Sequence, residues 1–143
     1  EQRMAFLETN SLISEYASEN LTYALLNDII ASENCFRVLK VLCHIPLRQV
    51  VSDTSIMTEE ELKYAANYST HLDFLIINRV SKLPVLAIET DGYSYHNDMA
   101  AQHQRDVMKD HILSCYGLPL LRLSTKGSNE RERIIEELYK IMQ

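Results

Sequence analysis

Through the first part of the chain apolar residues recur every three to four positions. Leu21, Leu25 and Ile29, with Leu26 and Ile30 beside them, form the stripe of a helix packed on one side. Beyond Ser32, an N-cap residue type, Phe36, Leu39 and Cys43 keep the same spacing and predict a second helix, so the first 43 residues read as helical. His44–Ser52, with Pro46, Val50 and Val51, fits a short strand, and Thr58 and Glu61 have the spacing of a capping box at the start of a short helix. From residue 71 the pattern changes. His71–Asn78 and Pro84–Asp91 are apolar runs rich in strand-forming residues, and Arg79–Leu83 between them has the length of a hairpin connection. A long helix is predicted from about Asp98 to Tyr116, stopped by Gly117 with Pro119 beyond. Leu118–Ser124 reads as a third strand, and Asn129–Met142 as an amphipathic helix with Ile134, Ile135, Leu138, Ile141 and Met142 on its apolar side. Helices, strand hairpin, helix, strand, helix is the order of a mixed α/β domain.

Composition narrows the function classes. The chain has 143 residues, 46% hydrophobic, which suits one domain with a real core; three Gly and three Pro exclude collagen-like and low-complexity sequences. No apolar run approaches the roughly 18 residues of a membrane span, and no signal segment opens the chain. Cys35, Cys43 and Cys115 are odd in number and widely spaced, so neither a disulfide framework nor a cysteine zinc site is expected. Small buried thiols in a reducing cytoplasm are. The net charge of −6 excludes a generally basic nucleic-acid binder. The charge is uneven: residues 1–70 hold five basic and ten acidic residues, whereas residues 71–143 hold nine and ten with four of the five histidines. Any phosphate chemistry therefore belongs to the second half. The chain opens on Glu1, as expected of a piece cut from a longer protein.

That second half carries a carboxylate cluster. Strand side chains alternate, so Glu89 and Asp91 project to one side. If the hairpin folds about Ser81, residues whose numbers sum to 162 face each other, and Asp73 lies opposite Glu89 with Asp91 one step further. Like charges so placed destabilise a sheet, and Leu75, Ile77, Val85 and Ala87 offer no cation. A hard divalent cation, Mg²⁺ or Mn²⁺, removes the repulsion. An acid at a strand end explains Asp73 or Asp91 but not Glu89, which follows four apolar residues. Beyond the cluster, Gln102, Arg105, Asp106 and Lys109 share a helix face, fitting either a solvated surface or contacts to phosphate. Arg122, in an apolar strand, needs an anionic partner, either in the site or in a structural acid. His96, His103 and His111 are spaced by seven and eight residues but lack the pairing of a zinc-binding helix.

Asp73, Ile88-Glu89-Thr90-Asp91-Gly92, His96, Arg105-Asp106, Lys109-Asp110, Gly117-Leu118-Pro119 and Leu121-Arg122, in this order, resemble the PD-(D/E)XK nuclease superfamily. The likeness covers about residues 30–125. It is nearest to the branch of very-short-patch-repair endonucleases, in the version fused to superfamily 1 DNA helicases. It implies a restriction-endonuclease-like mixed sheet flanked by helices over 31–143, with residues 1–30 as a helical N-terminal extension. It implies Mg²⁺- or Mn²⁺-dependent hydrolysis of nucleic-acid phosphodiesters, DNA foremost, within a larger protein such as a helicase. Carried over by residue, Asp73 and Glu89 are the metal ligands. Asp91 stands where the usual motif has lysine, and Glu33 matches an acid some members place at a helix start. His96 matches a histidine that helps activate water. Aspartate cannot orient water as lysine does, so Asp91 would either hold a second metal or be served by Lys109 from the helix; Arg105, Lys109 and Arg122 are the candidate phosphate contacts. The same departure, with the acidic first half, fits an alternative: a nuclease-like module of little or no activity that binds DNA or a partner protein.

Overall fold

The computed structural model describes residues 17–91, 99–124 and 129–143, and of Asp91 and Met99 the backbone alone. Its helices are α1 (Ala17–Ser32), α2 (Leu47–Val50), α3 (Glu59–Ala66), α4 (Met99–Tyr116) and α5 (Glu130–Met142). Its strands are β1 (Leu39–Pro46), β2 (His71–Asn78), β3 (Pro84–Asp91) and β4 (Leu120–Ser124). They form one mixed sheet in the order β1-β2-β3-β4, antiparallel except for the parallel β3/β4 pair. Parallel neighbours need a crossover, and α4 lies in that connection.

Alternation along β2 and β3 divides the core. Phe74, Ile76, Leu86 and Ile88 face α1 and α5, burying Leu26, Ile29, Ile134 and Leu138. Leu75 and Ala87 face the other way, against Leu47 and Val50 of α2, Ala65 of α3 and Ile112 and Leu113 of α4. The result is the expected mixed α/β architecture, a sheet between two helical layers. The boundary expected at residue 30 falls inside α1, whose Leu26, Ile29 and Ile30 belong to the same buried cluster as the sheet.

Several local expectations are met for the reasons given. Thr58 and Glu61 form a reciprocal capping box at the start of α3, with Glu61 N–H donating to Thr58 Oγ1 and Thr58 N–H to Glu61 Oε1. Helix α4 ends at Gly117, whose φ is +77°; its N–H donates to Ser114 O and that of Leu118 to Leu113 O, the Schellman arrangement. In the hairpin, Phe74 faces Ile88, Leu75 faces Ala87 and Ile76 faces Leu86, all summing to 162 as expected, until a bulge near the turn sets Ile77 against Pro84.

Others are corrected. No second helix follows Ser32. A 3-10 turn spans Asn34–Phe36, and β1 then pairs with β2 from Leu39 to Pro46 except at His44. Phe36, Leu39 and Cys43 matched a helical period by coincidence, while buried Leu39 and Val41 around exposed Lys40 alternate as a strand does. The strand expected over His44–Ser52 stops at Pro46, where α2 begins. The cysteines are not uniformly buried: Cys35 and Cys115 are exposed and Cys43 half-buried, all three as free thiols. Among the described residues no helix is long and apolar enough to cross a membrane.

Candidate functional site

The site lies where the hairpin ladder gives out. Beyond Phe74–Ile88, side chains replace backbone pairing: Asp73 N–H donates to Glu89 Oε2 at 2.9 Å, and Thr90 N–H donates to Asp73 Oδ2 at 2.9 Å, with Thr90 Oγ1 at 3.1 Å. On the other flank, β1 pairs with β2 at Cys43–Phe74 and Ile45–Leu72 but passes over His44, whose φ is 53°. Asp73 thus sits where pairing is loosened on both sides, and its carboxylate meets that of Glu89. Glu89 is only 5% exposed.

The cation that the strands lack comes from α4. Lys109 Nζ donates to Glu89 Oε1 and, at 2.9 Å, to the His71 carbonyl. Tyr64 of α3 brings its hydroxyl within reach of Lys109, and burial pushes that phenol up. His71, two residues before Asp73 on the same strand face, brings Nε2 to 3.5 Å from Asp73 Oδ1, and its ring packs 5.3 Å from that of His44. Burial pushes Glu89 from the ordinary 4.5 up to about 7; Lys109 opposes the rise and Asp73 adds to it. For Asp73 burial is overcome by bonds from His71 and Thr90, which hold its carboxyl below the usual range. Asp73 lifts His71 above its ordinary value, outweighing burial. Burial also works against the Lys109 ammonium, but Glu89 outweighs it and holds the group up. The two carboxylates face the Lys109 ammonium and a His71 ring whose charged form Asp73 favours; where that ring is neutral the cluster carries surplus negative charge, which uptake of a proton relieves.

A proton is one relief; a cation is another. Two carboxylates on adjacent strands are a hard-oxygen donor set, and Mg²⁺ is commonly held by one or two carboxylates with water completing its shell. The Asp73 oxygen facing His71 is the more loosely held of its two, with Nε2 at 3.5 Å. The donors therefore fit the ion, although among the described residues no third His, Cys, Asp or Glu completes an all-protein cage.

The remaining expected residues separate. Asp91 has its backbone at the end of β3, paired with Ser124; its side chain, and all of His96, lie outside the described residues. Arg105 is exposed and donates to Gln102 Oε1 at 2.9 Å, so the structure leaves it on the helix surface. Arg122 stands beside Glu89 in the β3/β4 register, but its guanidinium reaches Asp110 at 2.8 Å and Asp106 at 3.5 Å, the structural-acid alternative. Glu33 precedes the 3-10 turn, its carboxyl near Tyr139 of α5, on a different element from the acid pair. The structure thus joins Asp73, Glu89 and Lys109 and adds His71 and Tyr64. His71 was legible by alternation from Asp73, whereas Tyr64 depends on how α3 docks.

The family described as "Protein of unknown function (DUF2726)" matches residues 13–141, from before α1 to the last turn of α5. The chain belongs to that family. Asp73, Glu89 and Lys109 all fall within the matched segment. No curated protein and no solved structure matches the chain.

Proposed function

We propose that this DUF2726 domain is a metal-dependent phosphodiesterase acting on nucleic acid, DNA foremost, as the nuclease-like part of a larger cytoplasmic DNA-processing protein such as a helicase. One observation carries the reading: Asp73, Glu89 and Lys109, from three elements, meet where the hairpin pairing stops and leave surplus negative charge. Asp73 and Glu89 would hold Mg²⁺ or Mn²⁺, with Asp91 the further candidate ligand. The ion supplies polarisation of a phosphate oxygen and a more acidic water. Lys109, delivered from the helix where the strand offers Asp91, orients the attacking water and offsets charge building on phosphorus. His71 beside Asp73, or His96, takes the proton.

A second reading has its own support. Lys109 already neutralises Glu89, and the basic groups nearby on α4 and β4 are engaged by Gln102, Asp106 and Asp110. A module so closed would bind DNA or a partner protein without cutting.

Calorimetric titration of Mn²⁺ into wild type and Asp73→Ala, followed by nicking of supercoiled DNA in Mg²⁺ and Mn²⁺, separates the two. Metal binding and nicking that both vanish in Asp73→Ala and Glu89→Ala support the phosphodiesterase. Equal metal affinity or equal cutting in the variants overturns it. DNA retention with no nicking under either ion selects the non-cutting module.

A further inference from the structure

Away from the carboxylate site, the outer side of α4 carries a second chemical constellation. Cys115 and His111 are four residues apart on one helix face, and Cys115 Sγ lies 3.5 Å from His111 Nε2. The other ring nitrogen, Nδ1, bonds Glu61 Oε2 across the contact with α3. Glu61 is 4% exposed, and its remaining oxygen accepts Thr58 N–H at 3.0 Å through the capping box. Burial pushes the Glu61 carboxyl up, but the bonds from Thr58 and His111 overcome it and hold the group below its ordinary value. Glu61 is thus a fixed carboxylate, its orientation set by the helix cap before any thiol chemistry begins.

The chain of bonds assigns the proton positions. A carboxylate can only accept, so His111 Nδ1–H donates to Glu61. In the neutral ring Nε2 then keeps its lone pair, 3.5 Å from the Cys115 sulfur and able to accept the thiol proton. Thiol, imidazole and buried acid in this order are the arrangement that activates a cysteine nucleophile. The thiol is exposed to reagents. The carbonyl end of a helix disfavours an anion, but Gly117 and Leu118 N–H groups already bond the Ser114 and Leu113 carbonyls and blunt that field.

We propose that Cys115 is an activated thiol, a site of oxidation by hydrogen peroxide and of attack on other small soft electrophiles, with His111 as its proton acceptor and Glu61 as the residue that positions His111. In the step, the S–H proton passes to His111 Nε2 and sulfur attacks one peroxide oxygen. The S–O bond forms as the O–O bond breaks. The departing hydroxide takes the imidazolium proton, so thiol and hydrogen peroxide give sulfenic acid and water, sulfur losing the two electrons that peroxide gains. The inference is independent of the phosphodiesterase reading.

Cys35, the other exposed thiol, is an internal control. Intact protein is treated with limiting iodoacetamide near neutral pH, and separately with hydrogen peroxide and dimedone, and modification of each cysteine is followed by mass spectrometry. Cys115 is expected to react about tenfold faster than Cys35 in the folded protein, with the ratio falling to about one in urea. His111→Gln should abolish the advantage, and Glu61→Gln should reduce it while leaving the Cys35 rate unchanged. Circular dichroism of each variant matching the wild type shows that a lost advantage reflects the missing side chain and not unfolding. Equal rates in the folded wild type, or an undiminished advantage in His111→Gln, overturn the assignment.

Discussion

Replacing Lys109 by Met removes the ammonium that faces Glu89, and the cost should depend on pH in a way that identifies the responsible group. Glu89 titrates at about 7 in the fold against an ordinary 4.5. Between those values the folded carboxyl holds a proton that the unfolded chain has released, so this group lowers stability as pH rises from 4.5 to 7. At about 1.4 kcal/mol per pH unit, the penalty is about 3 kcal/mol at neutrality and levels off above it. Without Lys109 the titration point moves higher and the plateau is postponed. At neutrality wild-type Glu89 is already half protonated, so the variant adds less than about 1 kcal/mol from this source. Losing the bond from Lys109 to the His71 carbonyl adds about 1 kcal/mol more.

The expected destabilisation is therefore about 1–2 kcal/mol at pH 7, well below the roughly 3–5 kcal/mol of a buried pair whose survivor stays charged. Above neutrality it should grow, by at most about 1.4 kcal/mol per pH unit, until Glu89 of the variant has itself ionised. Below the ordinary carboxyl range both states are protonated, leaving the lost hydrogen bond alone. Urea unfolding of both proteins across this span, in the presence of a chelator, measures the difference directly. A cost that stays flat between neutrality and about pH 9 would refute the reasoning, because Glu89 would then not be the group that Lys109 restrains.

Two further outcomes follow from the same structure. Mn²⁺ must displace the Glu89 proton, so its affinity should rise up to about tenfold per pH unit below 7 and level above it; calorimetry in buffers of different ionisation enthalpy should find close to one proton released per ion at mildly acidic pH, and none released would argue against Glu89 as a ligand. Gly117→Ala places a side chain at φ +77° where nothing lies within 4 Å, so the cost is conformational alone. It should be about 1 kcal/mol by urea unfolding, and a loss several times larger would mean that the α4 stop does more than turn the chain.

How far the site was readable from sequence depends on how local each cause is. The hairpin register was legible because a short connection and two apolar runs leave few ways to fold, and Asp73 does meet Glu89. The capping box and the Gly117 stop were legible because both complete themselves within a few residues. Strand β1 was not. Its apolar spacing suits either period, and pairing with β2 some thirty residues away decides it. The α4 face was ambiguous for the same reason. Gln102, Arg105, Asp106 and Lys109 share a side, and their own spacing cannot say which of them turns inward. The sheet beneath makes the choice. The parallel β3/β4 register sets Glu89 beside Arg122, a negative group next to a positive one on the face that α4 covers. Lys109 meets the first, while Asp106 and Asp110, three residues before it and one after, meet the second. Arg105 lies on the exposed side and bonds Gln102 on its own helix. The ammonium that faces Glu89 is thus supplied by charge complementarity between a helix and the two strands it crosses. That relation resides in their docking, not in either segment alone.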